Sequence, residues 1–146
     1  MILGPQAERQ WLYPLHSILL AFAMASFGWA MIFDITYVNT AEIQWSNFAS
    51  WLIAGGELFG GLVLAWALAT AVLGRRSGAA LWRWIYLGVV ALMWVLGLFN
   101  AFHHSHDGWA SVGATGVTLS ILCTLLALIA GWILHSGLVS RESAQW

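Results

Sequence analysis

Histidines and carboxylates are scarce in this chain, and three of the five histidines with one of the six acids fall in FNAFHHSHDGW, residues 99–109, where His103, His104, His106 and Asp107 follow one another closely. If the preceding helix continues, His103 and His106 are three apart, as are His104 and Asp107, so each pair shares a helix face. Either pair supplies two ligands of the kind that zinc, copper or iron accepts. Asp34, which ends the first apolar run on the same side, offers a third. The spacing matches no defined metal motif, and the plain alternative is a solvated helix cap in which a histidine donates to Asp107. Asn100, one turn earlier, would orient such a cluster or cap the helix. An acid at a helix C-terminus opposes the macrodipole, so Asp34 calls for a partner, and the nearby histidines are the candidates.

Two further sites lie away from this knot. His16 stands one turn into the first apolar run and His135 ends the fourth, at similar depth on the opposite side from His104. Two histidines on different helices of a bundle are a common way to clamp a haem iron from both faces; each would equally serve by reaching the headgroups or a backbone carbonyl. An axial pair of His104 with Met31 is the alternative on the other side. Glu57 sits inside the second apolar run. A carboxylate in hydrocarbon costs roughly 2.5 kcal/mol or more, so such groups usually face the bundle interior and mark function. Ala54, Gly61 and Ala65 share its face, and Gly56 with Gly60 forms G-x-x-x-G on an adjacent one, a helix-packing signal. Glu57 is therefore either a proton site or a protonated carboxyl that bonds across a helix interface.

The elements that position these residues follow from composition. The 146 residues are 61% hydrophobic and 8% charged, outside the range of soluble domains. Four runs, about 11–33, 48–73, 81–102 and 112–134, reach the length that a hydrocarbon core demands. Lipid offers no partner for backbone N–H and C=O groups, which makes each run a helix. The expectation is one all-α membrane domain over 1–146, four transmembrane helices in an up-down-up-down bundle, with Gly74–Ala80 joining antiparallel neighbours. The first run is too long for a signal peptide and is read as an uncleaved span. All basic residues (Arg9, Arg75, Arg76, Arg83 and Arg141) fall on one side of this topology, which puts both termini in the cytoplasm. The outer loops are then about Asp34–Asn47 and His103–Ser111. Trp11, Trp82, Trp84 and Trp132 mark the inner interface, and Trp45, Trp51 and Trp109 the outer one.

Several functions are excluded or made remote. A net charge of −1 does not suit nucleic acid. No nucleophile elbow, P-loop or dinucleotide fingerprint is present, so a stand-alone enzyme is not expected. Cys123, the single cysteine, permits no internal disulfide and reads as a small core residue.

Several stretches together resemble a bacterial membrane family catalogued as domain of unknown function 2231. PLHSILLAF at Pro14–Phe22 is similar to its opening helix, and FDITY at Phe33–Tyr37 to the end of its first span. Asn100 and HHSHDGW are like its polar knot, with His104, Asp107 and Trp109 at matching places. TGVTLS at Thr115–Ser120 and AGW at Ala130–Trp132 resemble its last helix. Ser17 stands where the family usually has proline, and His135 has no counterpart in its pattern. The resemblance implies a four-helix inner-membrane protein, sometimes linked with periplasmic sugar or aldehyde dehydrogenases and cytochromes.

These readings converge on a small inner-membrane redox subunit or anchor that links a periplasmic dehydrogenase or cytochrome to the membrane electron-transfer chain through haem b or quinone. Its partners would be the lipid bilayer and another membrane or periplasmic subunit. His16, His135 and His104 are the cofactor candidates. His103, His104, His106, Asp107 and Asp34 are the metal candidates, with Trp109 and Asn100 on a docking face. A cofactor-free structural subunit and an outer-face metal-binding protein are the alternatives.

Overall fold

The computed structural model describes residues 5–73, 80–105 and 112–136, with the backbone alone for 5–13. Within these residues the chain forms α1 (Pro5–Thr40), α2 (Ile43–Leu73), α3 (Ala80–His104) and α4 (Ala114–His135), and no strand. All four helices are long and apolar enough to cross a membrane. Each packs on its neighbour in sequence, and α1 closes the ring against α4.

One expected loop is helix instead. The polar character of residues 34–47 predicts a connection, yet α1 runs on to Thr40 and α2 begins at Ile43. The reason is local. Thr36, Asn39 and Thr40 bond their side chains to the carbonyls four residues back, at Ile32, Ile35 and Thr36, so these polar residues are satisfied within the helix. The reversal falls on Ala41, in the left-handed conformation at φ 55°, with its N–H on Tyr37 O at 2.7 Å. That is the geometry of a helix C-cap, here without the usual glycine. Asp34 is consequently an interior residue of α1, fully buried, and not a helix end.

The bundle core is formed by Leu20 and Phe27 of α1, Val63 and Ala67 of α2, Val90 and Met93 of α3, and Cys123 and Ala127 of α4. Large apolar side chains such as Trp51, Leu58, Leu62 and Leu128 point outward, where lipid chains lie. Glycines let the helices approach. The close-packed face of α2 carries Gly56 and Gly60 with Val63 and Ala67, whereas Ala54 and Ala65 are exposed. The G-x-x-x-G face, not the Ala54–Ala65 face, is the one used for packing. A Cβ at Gly56 would stand 2.8 Å from Cε1 of the Phe27 ring, and one at Gly60 3.4 Å from the Met93 methyl. The phenyl ring is wedged between α2 and α3 and has little freedom to retreat. Gly56→Ala is therefore expected to destabilise the bundle by about 1–3 kcal/mol. Gly88→Ala, with nothing within 4 Å, is expected to be neutral or stabilising by up to about 1 kcal/mol. Denaturant unfolding in mild detergent compares the two.

Candidate functional site

At one end of the bundle a buried network joins three helices through one carboxyl group. Asp34 of α1 receives His104 of α3 on Oδ1, with Nε2 at 2.8 Å, and the Ser120 hydroxyl of α4 on Oδ2 at 2.5 Å. The same hydroxyl accepts from Asn100 Nδ2 of α3 at 2.8 Å. His104 Nδ1 lies 2.9 Å from the Asn100 backbone oxygen. Asp34, Asn100 and Ser120 are essentially fully buried, and His104 is 8% exposed. Thr124, one turn after Ser120, donates to the Phe27 carbonyl of α1 at 3.1 Å and to Ser120 O at 2.8 Å.

The proton positions follow from what each group is able to do. A carbonyl oxygen only accepts, so His104 Nδ1 must carry a proton. Nε2 then either donates to ionised Asp34 or accepts from its protonated form. In both arrangements one proton is shared between Nε2 and Oδ1, and the assembly as a whole carries no net charge. Ser120 spends its single proton on Asp34 Oδ2 and takes one from Asn100. Asp34, His104 and Ser120 are thus fully engaged, the condition under which a buried polar group is tolerated in lipid, while Asn100 Oδ1 has no partner among the described residues.

Glu57 lies deeper. Its backbone oxygen accepts from Trp94 Nε1 at 3.2 Å, but both carboxyl oxygens are buried with no hydrogen-bond partner among the described residues. The group is lodged against α3 at Gly97, where an added Cβ would overlap Oε1 and stand 3.1 Å from the tip of Phe27. Among the described residues neither carboxyl oxygen is bonded across a helix interface.

The opposite end of the bundle repeats the α1–α3 crossing with different chemistry. His16 Nε2 meets the Tyr86 hydroxyl at 2.7 Å, and the imidazole also packs on Trp66 with ring centroids 5.6 Å apart. Its Nδ1 is buried without a partner among the described residues. Eighteen residues separate His16 from Asp34 on α1, and Tyr86 from His104 on α3. Two parallel helices are thus pinned across the bundle at two levels, about 27 Å apart at 1.5 Å per residue. That spacing is close to the thickness of a hydrocarbon core, roughly 30 Å.

The remaining candidates fall as follows. His135 is exposed and donates Nδ1 to Gly131 O of its own helix at 2.8 Å; no hydrogen bond or ring contact joins it to His16. Both ring nitrogens of His104 are engaged, so a metal or haem iron would have to displace Asp34 or the Asn100 carbonyl. His103 meets His104 edge-on, with centroids 6.3 Å apart, and keeps a buried Nε2 unpartnered. Among the described residues no three of His, Cys, Asp and Glu are grouped as a metal site requires. His106, Asp107 and Trp109 lie outside the described residues, as do Arg75, Arg76 and Arg141. Cys123 is a buried free thiol in the core, its Sγ 3.9 Å from Met93 O. Sequence reasoning missed Ser120, Thr124, Tyr86 and Trp66 as site residues. The only available signal was their polarity inside, or at the edge of, apolar runs.

Because Asp34 and His104 act on one proton, their losses should not add. Asp34→Ala and His104→Ala are each expected to destabilise the fold, with a coupling of about 1–2 kcal/mol in the double variant. Asn39→Ala, at an exposed position, is expected to show no coupling to either. Unfolding free energies of the four-variant cycle measure this, and additive losses would mean that the two side chains do not form one unit.

No curated protein and no solved structure matches the chain. A family model described as a predicted membrane protein, DUF2231, matches residues 12–136. These residues contain all four apolar helices, His16, Glu57 and the whole Asp34–His104 network, and on this match the chain belongs to that family of predicted membrane proteins.

Proposed function

We propose that this chain is a small multi-pass subunit of the bacterial cytoplasmic membrane that manages protons for a redox partner, connecting a periplasmic dehydrogenase or cytochrome to the quinone pool. The observation that carries the reading is the Asp34–His104 pair, a buried acid and base sharing one proton at one end of the bundle. Buried ionisable residues in a membrane bundle are costly and mark proton relays or substrate paths. Reducing a quinone takes two electrons and two protons. The partner subunit would supply the electrons, and water at the His104 end would supply the protons through this pair.

Quinone suits the residues better than haem. His104 has no free nitrogen to offer iron, and His135 bonds to Gly131 O of its own helix, with no hydrogen bond or ring contact joining it to His16. The arginine distribution supports cytoplasmic termini and a periplasmic position for the loop that carries His106 and Asp107.

Two measurements test the proposal. The purified protein in mild detergent is expected to show no Soret band and no reduced α or β bands, and to bind a quinone analogue. His104→Ala, which breaks up the Asp34 network, is expected to weaken that binding by about tenfold or more, a loss of roughly 1.4 kcal/mol. A Soret band would move the function to haem. Analogue binding that His104→Ala leaves unchanged would remove the pair from the function.

A further inference from the structure

The two halves of the bundle differ in a way that gives Glu57 a sidedness. Phe27, Glu57 and Gly97 share one level, since Gly97 and Phe27 both abut the Glu57 region of α2. From this level toward His16 the buried side chains are Leu20 and Ala23 from α1, Val63 and Ala67 from α2, Val90 and Met93 from α3, and Ala127 and Ala130 from α4. All are apolar, over about 16 Å of helix rise to the His16–Tyr86 bond. Toward His104 each of the four helices brings a buried polar side chain: Asp34 from α1, Ser46 from α2, Asn100 and His104 from α3, and Ser120 and Thr124 from α4.

Among the described residues, Asn100 Oδ1 and both carboxyl oxygens of Glu57 are buried in the polar half without a donor, as is His103 Nε2 at its outer end. Buried polar atoms almost always have a partner, frequently a water that bridges two or more such groups. Asn100 stands one turn above Gly97, against which Glu57 rests, a rise of about 4.5 Å along α3. That step suits a single bridging water.

We propose that Glu57 is a proton-binding site inside the membrane that exchanges with the His104 face only, through water held between Asn100 and its carboxyl group. Loading is a simple transfer. A hydronium ion entering past Asp34 and His104 gives its proton to a Glu57 carboxylate oxygen and leaves as water; unloading is the reverse. The titratable groups facing this interior are Asp34 of α1, His104 of α3 and Cys123 of α4, and Cys123 is buried at the apolar boundary. The apolar layer between Glu57 and His16 blocks the other direction. This site stands apart from the redox reading, since one-sided exchange requires no quinone and no partner.

The test is infrared difference spectroscopy of wild-type protein in sealed proteoliposomes of known orientation, with pH stepped on one face at a time. The carboxyl C=O band that disappears in Glu57→Gln reports the site. It is expected to respond to a step on the His104 face at least about ten times faster than to a step on the His16 face, and Asn100→Leu is expected to slow that response by a similar factor. Asn100→Asp, which keeps a polar group at the position, should preserve it. Equal response from both faces, faster response from the His16 face, or no response from either would overturn the proposal. The wild-type comparison decides the matter even if Asn100→Leu fails to fold.

Discussion

In a bilayer a buried carboxyl must find its partners inside the protein, and the structure meets that demand for Asp34 by converging helices on it. One oxygen takes an imidazole from α3 and the other a hydroxyl from α4, so a single α1 side chain fixes the relative rotation of three helices. Interhelical hydrogen bonds of this kind contribute only modestly one by one in lipid. Their larger effect is specificity. Rotating α3 or α4 by one residue would carry His104 or Ser120 toward lipid and leave one oxygen of Asp34 without its partner.

With that end fixed, glycine and phenylalanine settle the middle. Gly56 and Gly97 open the space that the Phe27 ring fills, and Glu57 is pressed into what remains. The far end is tied by His16 and Tyr86 across the same two helices. The bundle axis thus carries hydrogen-bonded histidines at both ends and an unpartnered carboxyl between them, nearer the Asp34 end. Its chemistry is polarised although its helices look alike in composition.

The architecture was readable because hydrophobic run length alone dictates membrane helices, and the structure contains those four helices. Helix ends were harder to place: polar residues such as Thr36 and Asn39 suggest a loop, and only their back-bonding to α1 shows otherwise. The need for an Asp34 partner was visible, and His104 meets it, though the reason offered, an acid at a helix terminus, does not hold for an interior residue. Ser120 was illegible for a physical reason. A serine in an apolar helix satisfies itself equally well on its own backbone, as Ser50 does on Ser46 O. The Tyr86–His16 contact depends on the vertical register between α1 and α3, which apolar surfaces encode through shape and not through charge. Which face of α2 packs was likewise a matter of steric fit, decided by Phe27 against Gly56.

The central claim is that His104 and Asp34 share one proton, with Nδ1 of the imidazole donating to the Asn100 carbonyl. Nuclear magnetic resonance of protein labelled with ¹⁵N at histidine, reconstituted in lipid, reads the protonation of each ring nitrogen directly. The account predicts that His104 Nδ1 carries a proton that exchanges slowly with solvent, and that the Nε2 signal shifts when Asp34 is replaced by Asn. A His104 ring with Nδ1 unprotonated, or with Nε2 indifferent to Asp34, would contradict it.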